Sequence, residues 1–444
     1  MTDPALDYVF SLEQHGIKLG LDNIRILCEA LGHPERAFKS VIVAGTNGKG
    51  SVVSMLETAL RTAGLRTGSF TSPHLTDLAE RFGIGGHPVA HVTLVDEAKV
   101  FRKTVTELMA SRALAAPPTF FEATTALAFM LFRRAEVQVA VLEVGMGGRF
   151  DATNVVAPVA AVITNIDFDH QEFLGQTLPE IAFEKAGVIK PGSVIVTGET
   201  KPAPLEVLRR ACAERGVTLI EALTGIEMTT TTTQGVTELS LTTPHDAYRQ
   251  VPLSLRGRHQ VDNAIIAVRL LENFPSSSIP PQAIHAGLVH TYWPGRLELM
   301  RRRRHGDDPF SEEDAQWVML DAAHNVAAAH ALNIYLQNMH PGGIPLVLAV
   351  MRDKDAAGML TALEPSANQI ICTEVASSRA RPADSLAVLA REHCPNAVVT
   401  VVRPPIAALE AAWKEGDLAC AAGSVYLVGE LRGLTTPTRT RSAR

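Results

Sequence analysis

At 444 residues, 46% hydrophobic and 20% charged, the chain is too long for one core and is expected to form two or three domains. A net charge of −6 without clustered Lys and Arg excludes the basic field of a nucleic-acid surface. The scattered cysteines Cys28, Cys212, Cys372, Cys394 and Cys420 form neither a disulfide frame nor a zinc pattern. With no signal-peptide pattern and no apolar run near the roughly 18 residues of a membrane span, a cytoplasmic protein away from membranes is expected.

In chain order, residues 22–31 read as a helix with Ile24, Leu27 and Leu31 on one side. The β-branched run 41–43 then breaks at Gly45-Thr46-Asn47-Gly48-Lys49-Gly50-Ser51 and gives way to the helical spacing Val53, Leu56, Leu60. Strand, tight loop and helix make an anion site: glycines turn amides inward, the helix start adds unpaired N–H groups, and Lys49 supplies a cation. Ser51 can offer its hydroxyl to magnesium. The loop is shorter than the usual phosphate-loop pattern and Gly50 separates Lys49 from Ser51, so an ordinary glycine-rich turn is the competing reading.

A short strand, 68–70, leads to Thr71-Ser72-Pro73-His74-Leu75 and a glycine-rich stretch, 81–87. Helices are predicted over 94–109 and from Thr119-Phe120-Phe121-Glu122 through a buried run, 126–132. Strands 137–142 and 159–163 end at Glu143 with loop 145–151 and at Asp167-Phe168-Asp169-His170. Apolar strands that stop at polar loops imply a parallel sheet with its site along one edge. Helix 179–186 carries Lys185, and strand 193–197 follows. Thr-rich segments 228–233 and 236–242 read as antiparallel strands or as a solvated loop. Beyond helix 260–271 and Trp293-Pro294-Gly295-Arg296, a second α/β unit is predicted, with strands at 317–320, 345–350, 369–372, 397–402 and 424–428. The arginine run 301–304 and the charged residues 305–314 read as a solvated hairpin tip, and 435–444 as a disordered tail.

Lys49, Ser51, Ser72, Glu143 and His170 thus fall at the ends of successive predicted strands. One carboxylate, hydroxyls and nucleotide phosphates suit magnesium, which prefers hard oxygen ligands. His170 is read equally as a ligand or a loop hydrogen-bonder, and Glu143 as a ligand or a structural carboxylate capping the glycine turn. Lys185 would by default be a surface lysine, and Glu122 a helix-start charge.

Together with Phe121-Glu122, the run from Glu143 through Gly145-Met146-Gly147-Gly148-Arg149 to Asn154, Asp169-His170, Glu184-Lys185-Ala186-Gly187, Asn263, Pro294-Gly295-Arg296-Leu297-Glu298, Asp321-Ala322-Ala323-His324-Asn325 and Asp353-Lys354-Asp355, these motifs span nearly the whole chain. In that order they resemble the folylpolyglutamate synthase and dihydrofolate synthase family of the Mur ligase superfamily. The resemblance implies an α/β architecture: an N-terminal phosphate-loop ATPase domain with a mostly parallel sheet (1–296, ATP- and folate-binding) and a smaller Rossmann-like C-terminal domain (297–434, glutamate-binding). It implies a monomer using ATP and Mg2+ to join L-glutamate to dihydropteroate or to reduced folates through an acyl phosphate. A folylpolyglutamate synthase alone, or a phosphate-loop regulatory ATPase, are the alternatives.

By the same resemblance, Thr46, Asn47, Gly48, Lys49, Gly50 and Ser51 bind ATP with Asn263 at the adenine, Arg296 at phosphates and Asp321 at the ribose. Ser72, Glu143 and His170 hold magnesium. Lys185, carbamylated, holds a second ion. Thr119, Phe121, Glu122 and Asp151 take the pterin side, and His324 lies beside the phosphates or the glutamate. Lys49, Lys185 and His324 are the implied catalytic residues. Residues 76–83 depart from the common pattern, where many relatives carry a more polar or basic run.

Overall fold

The computed structural model describes residues 3–16, 18–275, 278–302, 316–433 and 435–437. Two compact units divide the chain: Met1–Thr231, Glu238–Ser254 and Gln260–Tyr292 form the first, and Thr232–Thr237, Leu255–His259 and Trp293–Arg444 the second. The change of unit at Tyr292/Trp293 lies slightly ahead of the boundary expected after Arg296.

The first unit is built on strands β1 (Lys39–Ala44), β2 (Thr67–Phe70), β3 (Phe82–Ile84), β4 (His87–Pro88), β5 (Val139–Glu143), β6 (Ala160–Ile163), β7 (Val194–Thr197) and β8 (Leu219–Glu221). They form one sheet in the order β4-β3-β2-β5-β1-β6-β7-β8. From β2 to β8 the pairings are parallel, and β3 and β4 add an antiparallel margin. Strands β5 and β6 are buried at every position and β1 at all but Lys39. That is why they read as continuous apolar runs: helices cover both faces of a parallel sheet. The Pro281–Val289 helix crosses the Lys49–Thr62 helix so closely that a Cβ on Gly287 would stand 2.7 Å from the Ala59 Cβ.

The connection after β1 runs toward β2, whereas that after β6 runs toward β7. Their carboxyl ends therefore diverge, which is where open α/β sheets bind ligands. The register sets Ser72, Glu143, Gly45 and Thr164 just at or past the ends of four neighbouring strands.

A separate sheet joins β9 (Glu227–Thr233), β10 (Val236–Thr242) and β11 (Ala247–Pro252) with β10 central. The threonine run is thus a strand, exposed along its length, while β10 alternates between buried and exposed positions.

The second unit holds β12 (Glu298–Arg302), β13 (Trp317–Leu320), β14 (Ile344–Leu348), β15 (Ala367–Cys372), β16 (Val398–Val401), β17 (Leu418–Ala422) and β18 (Thr435–Pro437), in the order β16-β15-β14-β17-β13-β12-β18. Strands β13 to β17 are parallel, and β12 pairs antiparallel with β13 and β18. Two expectations are corrected here. Residues 424–428 are not a strand: Ser424 caps the Val425–Arg432 helix, its hydroxyl accepting from the Tyr426 amide at 3.1 Å. The strand is Leu418–Ala422 instead, whose small Ala and Cys residues carry no β-branched signal. Residues 435–437, expected as disordered tail, are the edge strand β18; residues 438–444 lie outside the described residues. The arginine-rich tip, 303–315, also lies outside them. No helix among the described residues is long and apolar enough to cross a membrane.

Candidate functional site

The glycine loop leaves β1 through Gly45 (φ +143°) and enters the helix through Gly48 (φ +82°), the cap of a 14-residue helix. Both glycines are required by conformation and by crowding. A Cβ on Gly45 would strike the Thr164 hydroxyl, and one on Gly48 the Asn263 carboxamide. The loop end of β6 fixes the rest. Asn47 donates its amide to Asn165 Oδ1 at 2.9 Å, Thr164 Oγ1 donates to Asn47 O at 2.6 Å, and the Thr46 hydroxyl accepts from Asp167 N at 2.9 Å. Gly50 and Ser51 are buried in the first helical turn. Asn263 is held by Gln260, to whose Oε1 it donates at 2.9 Å. The structure therefore sets Asn263 against the phosphate loop itself.

Two amines converge on this loop. Lys49 Nζ folds back to the carbonyls of Gly45 at 3.2 Å and Thr46 at 3.0 Å, and Lys185 Nζ reaches Gly45 O at 2.9 Å. Lys185 is no surface lysine: it is 3% exposed. Burial first, and the charge of Lys49 second, push its pKa down to about 7. Loop 145–154 packs it in place. Arg149 grips Glu184 through its amide at 2.8 Å and through its guanidinium at 2.6 Å, and Asn154 donates to Gly187 O at 3.1 Å. Gly148 lacks a Cβ that would stand 2.9 Å from Lys185 O.

Beside the loop, buried Glu143 accepts the Ser72 amide at 3.1 Å. His170 adopts a left-handed conformation (φ 49°), with Nε2 3.9 Å from Asp169 Oδ2. Among the described residues, no three His, Cys, Asp or Glu side chains gather into a metal cluster. The donor set nonetheless fits magnesium, whose hard oxygen ligands would be Glu143, the Ser72 and Ser51 hydroxyls and the phosphates of a nucleotide.

The residues expected on the pterin side divide into two groups. Thr119 and Glu122 form a reciprocal capping box on the Phe120–Arg134 helix, with Thr119 N donating to Glu122 Oε2 at 2.7 Å and Glu122 N to Thr119 Oγ1 at 3.2 Å. Phe121 and Asp151 instead meet over Gly145, where a Cβ would lie 2.6 Å from the Phe121 ring and 3.2 Å from Asp151 Oδ2. Asp151 is buried and its pKa is raised by that burial, against hydrogen bonds from Thr153 Oγ1 at 2.6 Å, Met146 N at 2.9 Å and Thr153 N at 3.0 Å.

In the second unit, Asp321 brackets a turn by accepting from Leu297 N and Ala323 N, each at 2.9 Å. Burial raises its pKa, opposed by Arg296, whose Nη1 donates to Gly295 O at 3.1 Å. His324 places Nδ1 2.9 Å from Ala322 O. His259, unnoticed in the sequence, is half-buried near Arg296 with its pKa pushed down to about 4, desolvation being the larger cause. Thr164 and Asn165 were also missed as loop supports; their signal was a polar Thr-Asn pair directly after an apolar strand.

A Mur ligase middle domain matches residues 43–271, and a Mur ligase glutamate ligase domain matches 295–425. A Bacillus subtilis dihydrofolate synthase/folylpolyglutamate synthase is 35% identical over 82% of this chain and 83% of its own length. A probable bifunctional folylpolyglutamate synthase/dihydropteroate synthase of Halobacterium salinarum is 36% identical over 98% of the chain but only 52% of its own length, so the chain spans about half of that relative. Among solved structures, Mycobacterium tuberculosis folylpolyglutamate synthase complexed with ADP superposes with a TM-score of 0.88 at 32% identity, covering 98% of this chain and 99% of the other. The chain belongs to the Mur ligase family, in the branch of the folylpolyglutamate and dihydrofolate synthases.

Proposed function

We propose that the chain is an ATP-dependent ligase that joins L-glutamate to dihydropteroate and to reduced folates. The observation that carries this reading is the convergence of Lys49 and Lys185 on one carbonyl of a glycine loop at a helix start. Lys49 at the helix start carries the charge that a polyphosphate would neutralise, while Lys185, buried against it, is kept from carrying a second. The names of the relatives supply the substrate class.

A carboxylate is a poor electrophile. Its oxygen attacks the γ-phosphorus of ATP, ADP departs, and the resulting acyl phosphate is opened by the glutamate amine, which gives up a proton as phosphate leaves. Lys49 and the loop amides offset charge on the moving phosphoryl group. Magnesium, held by Glu143, Ser72 and Ser51 with His170 nearby, would supply further charge neutralisation. Phe121 offers a ring face to the pterin and Asp151 a carboxylate at its edge, while Thr119 and Glu122 act by capping the helix that carries Phe121. Asn263, Arg296, Asp321 and His324 keep the roles that the resemblance implies.

Lys185 is proposed as a carbamate. Its depressed pKa keeps a large share of neutral amine near neutral pH, and that form adds carbon dioxide with loss of a proton. A carbon-13 carbamate resonance in labelled bicarbonate, absent from Lys185→Arg, is the expected signature. The five cysteines, buried and free of disulfides, fit a reducing cytoplasm. A monomer is expected in sedimentation.

The test offers dihydropteroate and tetrahydrofolate separately, with ATP, magnesium and glutamate, and reads ADP and product mass. A glutamyl conjugate with both acceptors supports the bifunctional reading; one with tetrahydrofolate only restricts it to folylpolyglutamate synthesis. No conjugate with either refutes the ligase.

A further inference from the structure

The carboxyl ends of β14 and β17 diverge as those of β1 and β6 do, because the connection after β14 runs toward β15 while the chain leaves β17 toward β18. The loops after β14 and β15 are zipped together there. Arg352 N donates to Arg379 O and Arg381 N to Val350 O, each at 2.9 Å, around an antiparallel bridge between Met351 and Ala380. Arg352 Nε closes the zip on Ala380 O at 2.9 Å.

Arg381 differs from its neighbours Arg379 and Arg403, which both pair with acids. Asp353 pairs with Arg379 at 3.3 Å, while Glu374 and Asp384 are both taken by Arg403, at 2.8 and 2.6 Å. Asp355 is committed to capping the Ala356–Leu363 helix. Half-buried Arg381 meets no carboxylate among the described residues. Its Nη2 makes only two long contacts, to Arg352 O at 3.4 Å and Lys354 O at 3.5 Å, and its buried Nε has no acceptor. A guanidinium held by backbone at one end and lacking a counter-ion is prepared for a planar anion.

We propose that Arg381 recognises a carboxylate of the amino-acid substrate, an inference that rests on the ligase reading above. The anchored fork selects for an amino acid with a carboxylate in reach of it, and Lys354, on the gripped loop, adds a second positive charge.

Steady-state kinetics on the full chain test this. Arg381→Met is expected to raise KM for glutamate about 10-fold or more, Arg381→Lys less, with KM for ATP and the melting temperature nearly unchanged. Of the two monoamides of glutamate, glutamine and isoglutamine, the one lacking the recognised carboxylate should be used equally poorly by wild type and Arg381→Met. An unchanged KM for glutamate in a folded Arg381→Met overturns the assignment, as does a common fall in melting temperature with all KM values raised together, which marks a purely structural clamp. Absence of glutamate-dependent ADP release from the wild type would instead refute the ligase reading itself, and this inference with it.

Discussion

The phosphate loop and the zipped loops of the second unit occupy equivalent places, each at a point where parallel strands send their connections apart. They are built differently. The first is a backbone loop shaped by Gly45 and Gly48, pinned by Thr164 and Asn165 and leading into a helix start; the second presents guanidinium groups on loops that grip one another. A backbone cradle suits a polyphosphate that must be approached closely, whereas a fork on an anchored side chain suits a single carboxylate.

The contrast predicts where damage is greatest. Lys49→Ala should lower kcat by about 10²- to 10³-fold, in the range of a lost charge-stabilising donor, with little change in melting temperature. Near-normal turnover would remove the loop from the chemistry. Glu143→Ala is expected to abolish ligation too, and ADP release in excess magnesium is the measurement.

Asp151→Ala comes next. Truncation strands the donors of Met146 and Thr153, which should cost about 1–3 kcal/mol of stability in denaturant unfolding, whatever substrate is offered. Undiminished stability with selective loss of dihydropteroate turnover would show that contact with the pterin is its main work.

Lys185 gives a pH signature. Its folded-state pKa of about 7 lies below the ordinary 10.5, so between those values the unfolded chain binds more protons and stability rises with pH. The cost of burying the ammonium is full below pH 7 and is relieved toward pH 10.5. In buffer free of carbon dioxide, wild type should show this rise relative to Lys185→Met; parallel curves would contradict the burial. The smallest effect is expected for Thr119→Ala, about 1 kcal/mol from the lost helix cap with KM for the pterin acid nearly unchanged.

The backbone cradle was legible in the sequence because glycines and a strand-to-helix change are local signals. The buried apolar strands that stop at polar loops were legible for the same reason; their order in the sheet was not, and the threonine segment stood open between strand and solvated loop. What escaped is what depends on contacts distant along the chain. Burial of Lys185 follows from the packing of Arg149 and Asn154 against its helix, and nothing in its own neighbourhood announces it. Leu418–Ala422 lacked β-branched residues, so the strand was placed on the helix that follows. Thr119 and Glu122 carry the T-x-x-E spacing of a capping box, a local signal that the helix start bears out. Arg381 could not have been singled out, since its lack of a counter-ion appears only after Arg379 and Arg403 have taken the nearby acids.

Transfer of oxygen from acid to phosphate tests the central claim most directly. With dihydropteroate or tetrahydrofolate labelled with oxygen-18 in the reacting carboxylate, each amide formed should release one inorganic phosphate carrying one labelled oxygen. Amide formation with unlabelled phosphate would show that the carboxylate is never phosphorylated and would contradict the account.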